Sequence, residues 1–194
     1  MLAKVCTMLT LATDMTSIVH PPFLPPGYPR ECEGTAVLRD GRPVFIRPLV
    51  PGDAHQLGFE LQHADPETLY HRFFRSIRVN DALLEYLTVL DYERRFALAA
   101  FGEDGTGAGI ARYERLDDSG TAEIAVAVSP GWRRVGLGTL LLRRLETAGR
   151  ARGIDAFGAD FLAENKAARG LIERGGFAEP VFTSGVGSVV HPLR

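Results

Sequence analysis

The chain has 194 residues, 45% of them hydrophobic and 24% charged, with a formal net charge of -2. That length suits one domain with a tail, and the near-neutral balance argues against a general nucleic-acid binder. No run of about 18 apolar residues offers a membrane span, so no membrane partner is expected.

Residues 1–31 differ from the rest. A Thr- and Met-rich stretch ends in "HPPFLPPGYP", where Pro21, Pro22, Pro25, Pro26 and Pro29 remove amide donors and fix φ. The expectation is a flexible Pro-rich leader over 1–31 and one domain over 32–194. A secretory signal is disfavoured, because Asp14 follows closely and no small-x-small site ends a clean apolar block. Cys6 and Cys32 are the only cysteines, and no CxxC pair exists. A zinc knuckle or disulfide framework is therefore unsupported, and a reducing, cytoplasmic compartment is expected.

From Thr35 the pattern turns regular. Ala36 to Arg39 and Val44 to Pro48 flank Asp40-Gly41, a hairpin signal. Leu57, Leu61 and Ala64 follow at helical spacing, with Asp53 as N-cap. Pro66 opens a short helix carrying Leu69, Phe73 and Phe74. Asn80 or Asp81 caps a third helix bearing Leu83, Leu84, Leu87 and Leu90. His55, His63 and His71 recur every eight residues, but Pro66 interrupts the run and no metal site is expected.

Three strands come next, "RFALAAFGE", "GIARYERL" and "TAEIAVAVSP", an antiparallel meander. Leu140, Leu141, Leu145 and Ala148 then share one helical face, which Gly153 ends. "IDAFGADF" reads as a strand, "NKAARGLIERGGF" as a helix ended by Gly175 and Gly176, and the tail as two strands. The order predicts a mixed α/β domain with a mostly antiparallel sheet and one crossover through Leu137 to Gly153.

The chemistry gathers at "IAVAVSPGWRRVGLGTLLLRRLE". A strand meets two glycines spaced by two and then a strong helix. Glycines let amides approach a ligand, and a helix start offers free N–H groups and a positive dipole end. Together they suit an anion, with Arg133 and Arg134 at the same rim. A P-loop is excluded, since no Gly-Lys pair occurs anywhere. A dinucleotide fingerprint fails at Leu141, where its third glycine belongs.

"RRVGLG", Arg133 to Gly138, resembles the [QR]xxGx[GA] signature of the GNAT superfamily of acyl-CoA N-acetyltransferases. Downstream, Asn165, Ala168, Leu171, Gly176 and Phe177 are similar to that family's second signature. "LRDGRPVFIRPLVPGDA", "LYHRFF" and "AEIAVAV" resemble the Pat-type protein lysine acetyltransferase branch. The resemblance implies a GNAT fold, its central sheet splayed between the fourth and fifth strands and flanked by helices, with a bulge as the device that opens the gap. It implies acetyl-CoA as cosubstrate and no metal. Val135, Gly136, Leu137, Gly138 and Thr139 would donate amides to the pyrophosphate, with Arg133 and Arg134 beside it. The strand edge at Val126, Ala127 and Val128 would take the pantetheine arm and polarise the thioester. Asn165 would bind the cofactor or cap its helix.

The acceptor implied is an amine, a protein lysine or a small molecule, and a homodimer is compatible with the reading. Lysine is only about 0.04% neutral at pH 7, so a base helps by about 10² to 10⁴. Glu123 is the candidate, on the strand leading to the glycine loop, where the Pat-like branch has its Glu. Many GNAT enzymes carry a Tyr acid directly after the residue matching Leu171; here Ile172 stands there, and Tyr113 is a weak substitute. Ile172 also favours the alternative reading, a catalytically weak acyl-CoA-binding regulatory domain.

Overall fold

The computed structural model describes residues 20–64, 78–116 and 119–193. The helix expected from Pro66, with Leu69, His71, Phe73 and Phe74, lies outside the described residues, as does Cys6. The described strands are β1 (Gly34–Val37), β2 (Pro43–Pro48), β3 (Arg95–Phe101), β4 (Gly107–Glu114), β5 (Thr121–Val128), β6 (Ala156–Leu162), β7 (Val181–Thr183) and β8 (Val186–Pro192). The α-helices are α1 (Ala54–His63), α2 (Asp81–Thr88), α3 (Leu137–Ala151) and α4 (Lys166–Gly175). No described helix is long and apolar enough to cross a membrane.

All eight strands join one sheet, in the order β1-β2-β3-β4-β5-β6-β8-β7. Every neighbouring pair is antiparallel except β5 and β6, which α3 connects as a crossover. This is the mixed, mostly antiparallel sheet that the element order predicts. The tail strands form the expected hairpin, but β8 lies beside β6 and β7 takes the outer edge.

α3 exists because its apolar residues recur on one face. Leu137, Leu141, Leu145 and Ala148 are all buried, against β3, β4 and β5. Each buried leucine contributes roughly 1.5–3 kcal/mol by leaving water. A smaller cluster of Phe161, Ile172 and Val189 joins α4 to the β6–β8 half of the sheet.

α1 and α2 pack on each other near a buried ion pair. Arg47 on β2 is 0% exposed, and its guanidinium donates two hydrogen bonds to Asp53, Nη1 to Oδ2 at 2.8 Å and Nη2 to Oδ1 at 2.7 Å. The Val50 amide donates to Asp53 Oδ2 at 2.8 Å. Asp53 does stand at the N-cap of α1, but its side chain makes no capping bond to that helix. A buried guanidinium without a partner is far more costly than an uncapped helix end, and Arg47 takes the carboxylate. Asn80 behaves as expected: its side chain accepts the Leu83 amide at 2.9 Å and starts α2.

Candidate active site

The site begins where two parallel strands part. β5 and β6 pair only at Thr121↔Ala156, Ala122↔Phe157 and Glu123↔Gly158. Beyond Glu123, β5 stays paired with β4 as far as Val128. β6 meanwhile stays paired with β8 to Leu162. The ladder is therefore missing on one side only, and a fork opens between β5 and β6. Counted from β2, these are the fourth and fifth strands of the expected sheet. No bulge accompanies the opening: the β4–β5 register is unbroken, and the register shift in the neighbouring ladder falls at Ala100/Phe101, between β3 and β4. The parting comes from the two strands following different partners.

Antiparallel geometry says which backbone groups face the fork. The Ser129 amide donates to Ala108 O at 3.0 Å, so Ser129 turns toward β4. Alternate residues share an orientation, so Ala127 and Ala125 also turn to β4. Ile124, Val126 and Val128 then present N–H and C=O to the fork. Of the three strand-edge residues singled out from sequence, Val126 and Val128 face the gap and Ala127 does not. The Val128 carbonyl already accepts Arg133 Nε at 3.2 Å.

The chain then turns through Pro130–Trp132 into the glycine loop. Arg134 has φ 65° and Gly136 φ 96°, both left-handed, with Val135 between them. Left-handed residues at alternate positions turn successive amides into one hollow, a nest for anions. At Gly136 glycine is required by the backbone itself. At Gly138 it is not. A Cβ there would sit 3.5 Å from Val128 and 3.6 Å from Leu171, ordinary contacts, with no left-handed φ. Packing within the chain gives no reason for glycine at 138. None of the amides from Val135 to Thr139 is donated to another backbone group of the described residues. A helix start leaves such groups free by construction. Arg133 and Arg134 are both exposed at the rim.

Glu123 is exposed at the apex of the fork, directly opposite Glu114 on β4. On the same sheet face lies Arg112, 6% exposed, with Nη2 3.3 Å from Glu114 Oε2. Tyr86 of α2 donates its hydroxyl to the same carboxylate oxygen at 2.5 Å. Burial lowers the Arg112 guanidinium from the usual arginine range, while Tyr86 and Glu114 work against that shift. Burial raises the Tyr86 hydroxyl, as does its bond to Glu114. A carboxylate–arginine–tyrosine group therefore lies beside Glu123, and the sequence offered no periodic signal for it, because α2 and β4 meet only in the fold.

Asn165 caps α4, accepting the Ala168 amide at 3.0 Å. Ile172 is buried among apolar residues. Tyr113 is 0% exposed, and its hydroxyl donates to Glu93 O at 3.0 Å. It lies on the sheet face toward α3, opposite to that of Glu123, so it is badly placed as an acid. Trp132 and Phe177 pack, Trp132 on the main core and Phe177 on the smaller cluster. No group of three or more His, Cys, Asp or Glu suited to a metal occurs among the described residues.

Residues 60–177 match the model of the acetyltransferase (GNAT) family. The chain is 32% identical over 160 residues to an acetyltransferase of Pseudomonas aeruginosa, covering 80% of this chain and 86% of that one. It is 32% identical over 139 residues to the acetyltransferase Pat of Mycolicibacterium smegmatis, covering 71% of this chain but only 42% of that protein. Among solved structures, the GNAT domain of S. lividans PAT superposes with a TM-score of 0.79 at 28% identity, over 85% of this chain and 99% of that one.

Proposed function

The chain belongs to the GNAT acetyltransferase family and is an acyl-CoA-dependent N-acetyltransferase, and we propose that its acceptor is a protein lysine, acetylated by direct attack with Glu123 as the base. The observation that carries this reading is the unpaired edge of β5, which runs from Glu123 at the apex of the fork to the amide nest at the start of α3. The protein-lysine acceptor rests on the resemblance to relatives named Pat and PAT.

The residues present fit acetyl-CoA. Amides of Val135, Gly136, Leu137, Gly138 and Thr139 would hold the pyrophosphate, with Arg133 and Arg134 at its rim, and Gly138 would leave room for close approach. Val126 and Val128 would offer the pantetheine arm backbone donors and acceptors, while Ala127 backs them through its pairing with β4. Asn165 steadies the start of α4 by accepting the Ala168 amide. Bound acetyl-CoA supplies an acyl group already activated as a thioester.

The chain's own part is positioning and proton transfer. Amides on the fork side of β5 donate to the thioester carbonyl as charge gathers on its oxygen. The Glu123 carboxylate takes the proton that the attacking amine must lose. The new N–C bond forms as the C–S bond breaks, and the departing thiolate takes its proton from water, since Ile172 offers none. Glu123→Gln keeps shape and removes basicity. The expected result is kcat lowered by about 10² to 10⁴ with cosubstrate affinity unchanged, read by thiol release and calorimetry. Equal kcat for both proteins across pH removes Glu123 from the role.

A second reading is favoured by Ile172 and by the engaged Tyr113 hydroxyl: an acyl-CoA-binding regulatory domain with weak turnover. Saturable binding of CoA, with no thiol release above background on lysine peptides or on small amines, selects it.

A further inference from the structure

One cross-strand row runs through Glu123. On the β6 side Gly158 stands opposite it, and Val190 on β8 stands opposite Gly158 in turn. Directly opposed residues share a sheet face, so Glu123 and Val190 point to the same side. Between them the row holds no side chain. The chain's own packing does not require that gap. A Cβ on Gly158 would meet only Thr121 Cγ2, at 3.8 Å, and its φ is not left-handed. Thr121 lies two positions before Glu123 and so shares its face. The result is a slot one residue wide between Glu123 and Val190, whose strands stand about 10 Å apart.

The slot opens on an uncovered part of the sheet. Val190 is 55% exposed. Asp160 and Ser188, the next opposed pair on this face toward the open end of the fork, are exposed as well. No described helix therefore covers this face of β6 and β8. The two ends of the slot differ in chemistry, a carboxylate at Glu123 and an aliphatic wall at Val190. The positions of β5, β6 and β8 that share this face carry two acids, Glu123 and Asp160, and no lysine or arginine. Such a slot is complementary to a cation on an aliphatic stem, which lays its methylenes on apolar surface and keeps its charge at the tip.

We propose that Gly158 sets acceptor specificity: the side chain of the acceptor lysine crosses the slot over Gly158, with its methylenes on Val190 and its nitrogen at Glu123. The inference rests on the reading of a protein lysine as acceptor and Glu123 as base. It adds β6 and β8, which lie outside both sequence signatures, to the acceptor side of the site.

Thiol release with a lysine peptide, beside calorimetry with acetyl-CoA and a thermal melt, tests it in Gly158→Ala and Gly158→Val. A side chain in the slot is expected to lower kcat/KM for the peptide in order of size, by about tenfold or more for valine. Acetyl-CoA affinity and melting temperature are kept. Val190→Lys leaves the slot open and puts a like charge at its far end. The expected loss is about threefold at low salt and fades as salt rises. Val190 is exposed, so this variant keeps the fold. Parental kcat/KM in a well-folded Gly158→Val protein overturns the proposal, as does a Val190→Lys protein with no salt-dependent loss. If Gly158→Val melts early, Val190→Lys alone decides. A Val190→Lys protein that sediments at half the parent's mass with kcat/KM unchanged assigns this face to a second copy instead. No peptide turnover by the unmodified chain fails the lysine reading itself, and this inference with it. Glu123→Gln reads proton transfer rather than access, so the two readings fail separately.

Discussion

Gly138→Asp separates what the fold needs at the nest from what a ligand needs. A Cβ at 138 meets Val128 at 3.5 Å and Leu171 at 3.6 Å, which is ordinary contact. The residue lies in the first turn of α3 with no left-handed backbone. Replacing glycine by aspartate in a helix gains about 0.3 kcal/mol, and a carboxylate at a helix start gains about 0.3–1 kcal/mol more. The variant therefore melts at the same temperature as the parent or higher. Its ligand affinity moves the other way. A carboxylate about 4 Å from a phosphate repels it by about 1 kcal/mol in water and about 4 kcal/mol at an effective dielectric of 20. That range is about 5-fold to about 1,000-fold in Kd. Gly138→Ala isolates the steric part and is expected to weaken binding less. Calorimetry with acetyl-CoA beside a thermal melt reads both quantities. An unchanged Kd in a well-folded Gly138→Asp protein removes the argument that the ligand, not the fold, selects glycine here.

Two further outcomes concern the scaffold. Asp53→Ala leaves Arg47 charged and buried without its carboxylate, and is expected to cost about 3–5 kcal/mol in denaturant unfolding. The chain should also lose stability in alkali. Burial raises the Tyr92 hydroxyl from 10.0 to about 12, with Asp53 adding to the shift. Burial likewise raises Tyr113 and Tyr28 above the usual tyrosine range. The unfolded tyrosines ionise first, so this contribution is complete below about pH 10 and falls as the pH climbs toward 12. Tyr92→Phe should flatten that decline in melts taken across the range, and an unchanged slope counts against the assignment.

Much of this arrangement was legible because local physics wrote it. The stripe from Leu137 to Ala148 has a helical period, Asp40-Gly41 turns a hairpin, and the pair of glycines precedes a strong helix. What escaped was set by contacts between distant segments. Asp53 reads as a helix cap, and nothing near it says that Arg47 will be buried and claim its carboxylate. Nothing in the strand around Arg112 and Glu114 announces that Tyr86 will reach Glu114 from α2. The fork was expected to open at a bulge, yet the β4–β5 register is unbroken and β6 follows β8 instead. No local pattern announces that the hairpin at Arg39 will meet the glycine loop nearly a hundred positions later, where its amide donates to Val135 O.

The parting of β5 and β6 also has a mechanical side. Only three residue pairs at the base join the five-stranded body to the β6–β8 wing within the sheet. From Gly158 to Leu162 the free arm of β6 is about 13 Å long at 3.3 Å per residue. A tilt of about 10° about that short pivot shifts its tip by about 2 Å, enough to pinch or release a narrow chain lying alongside. Packing of α4 on α3 and of Phe157 in the core braces the wing against such a tilt, far from any atom that reacts.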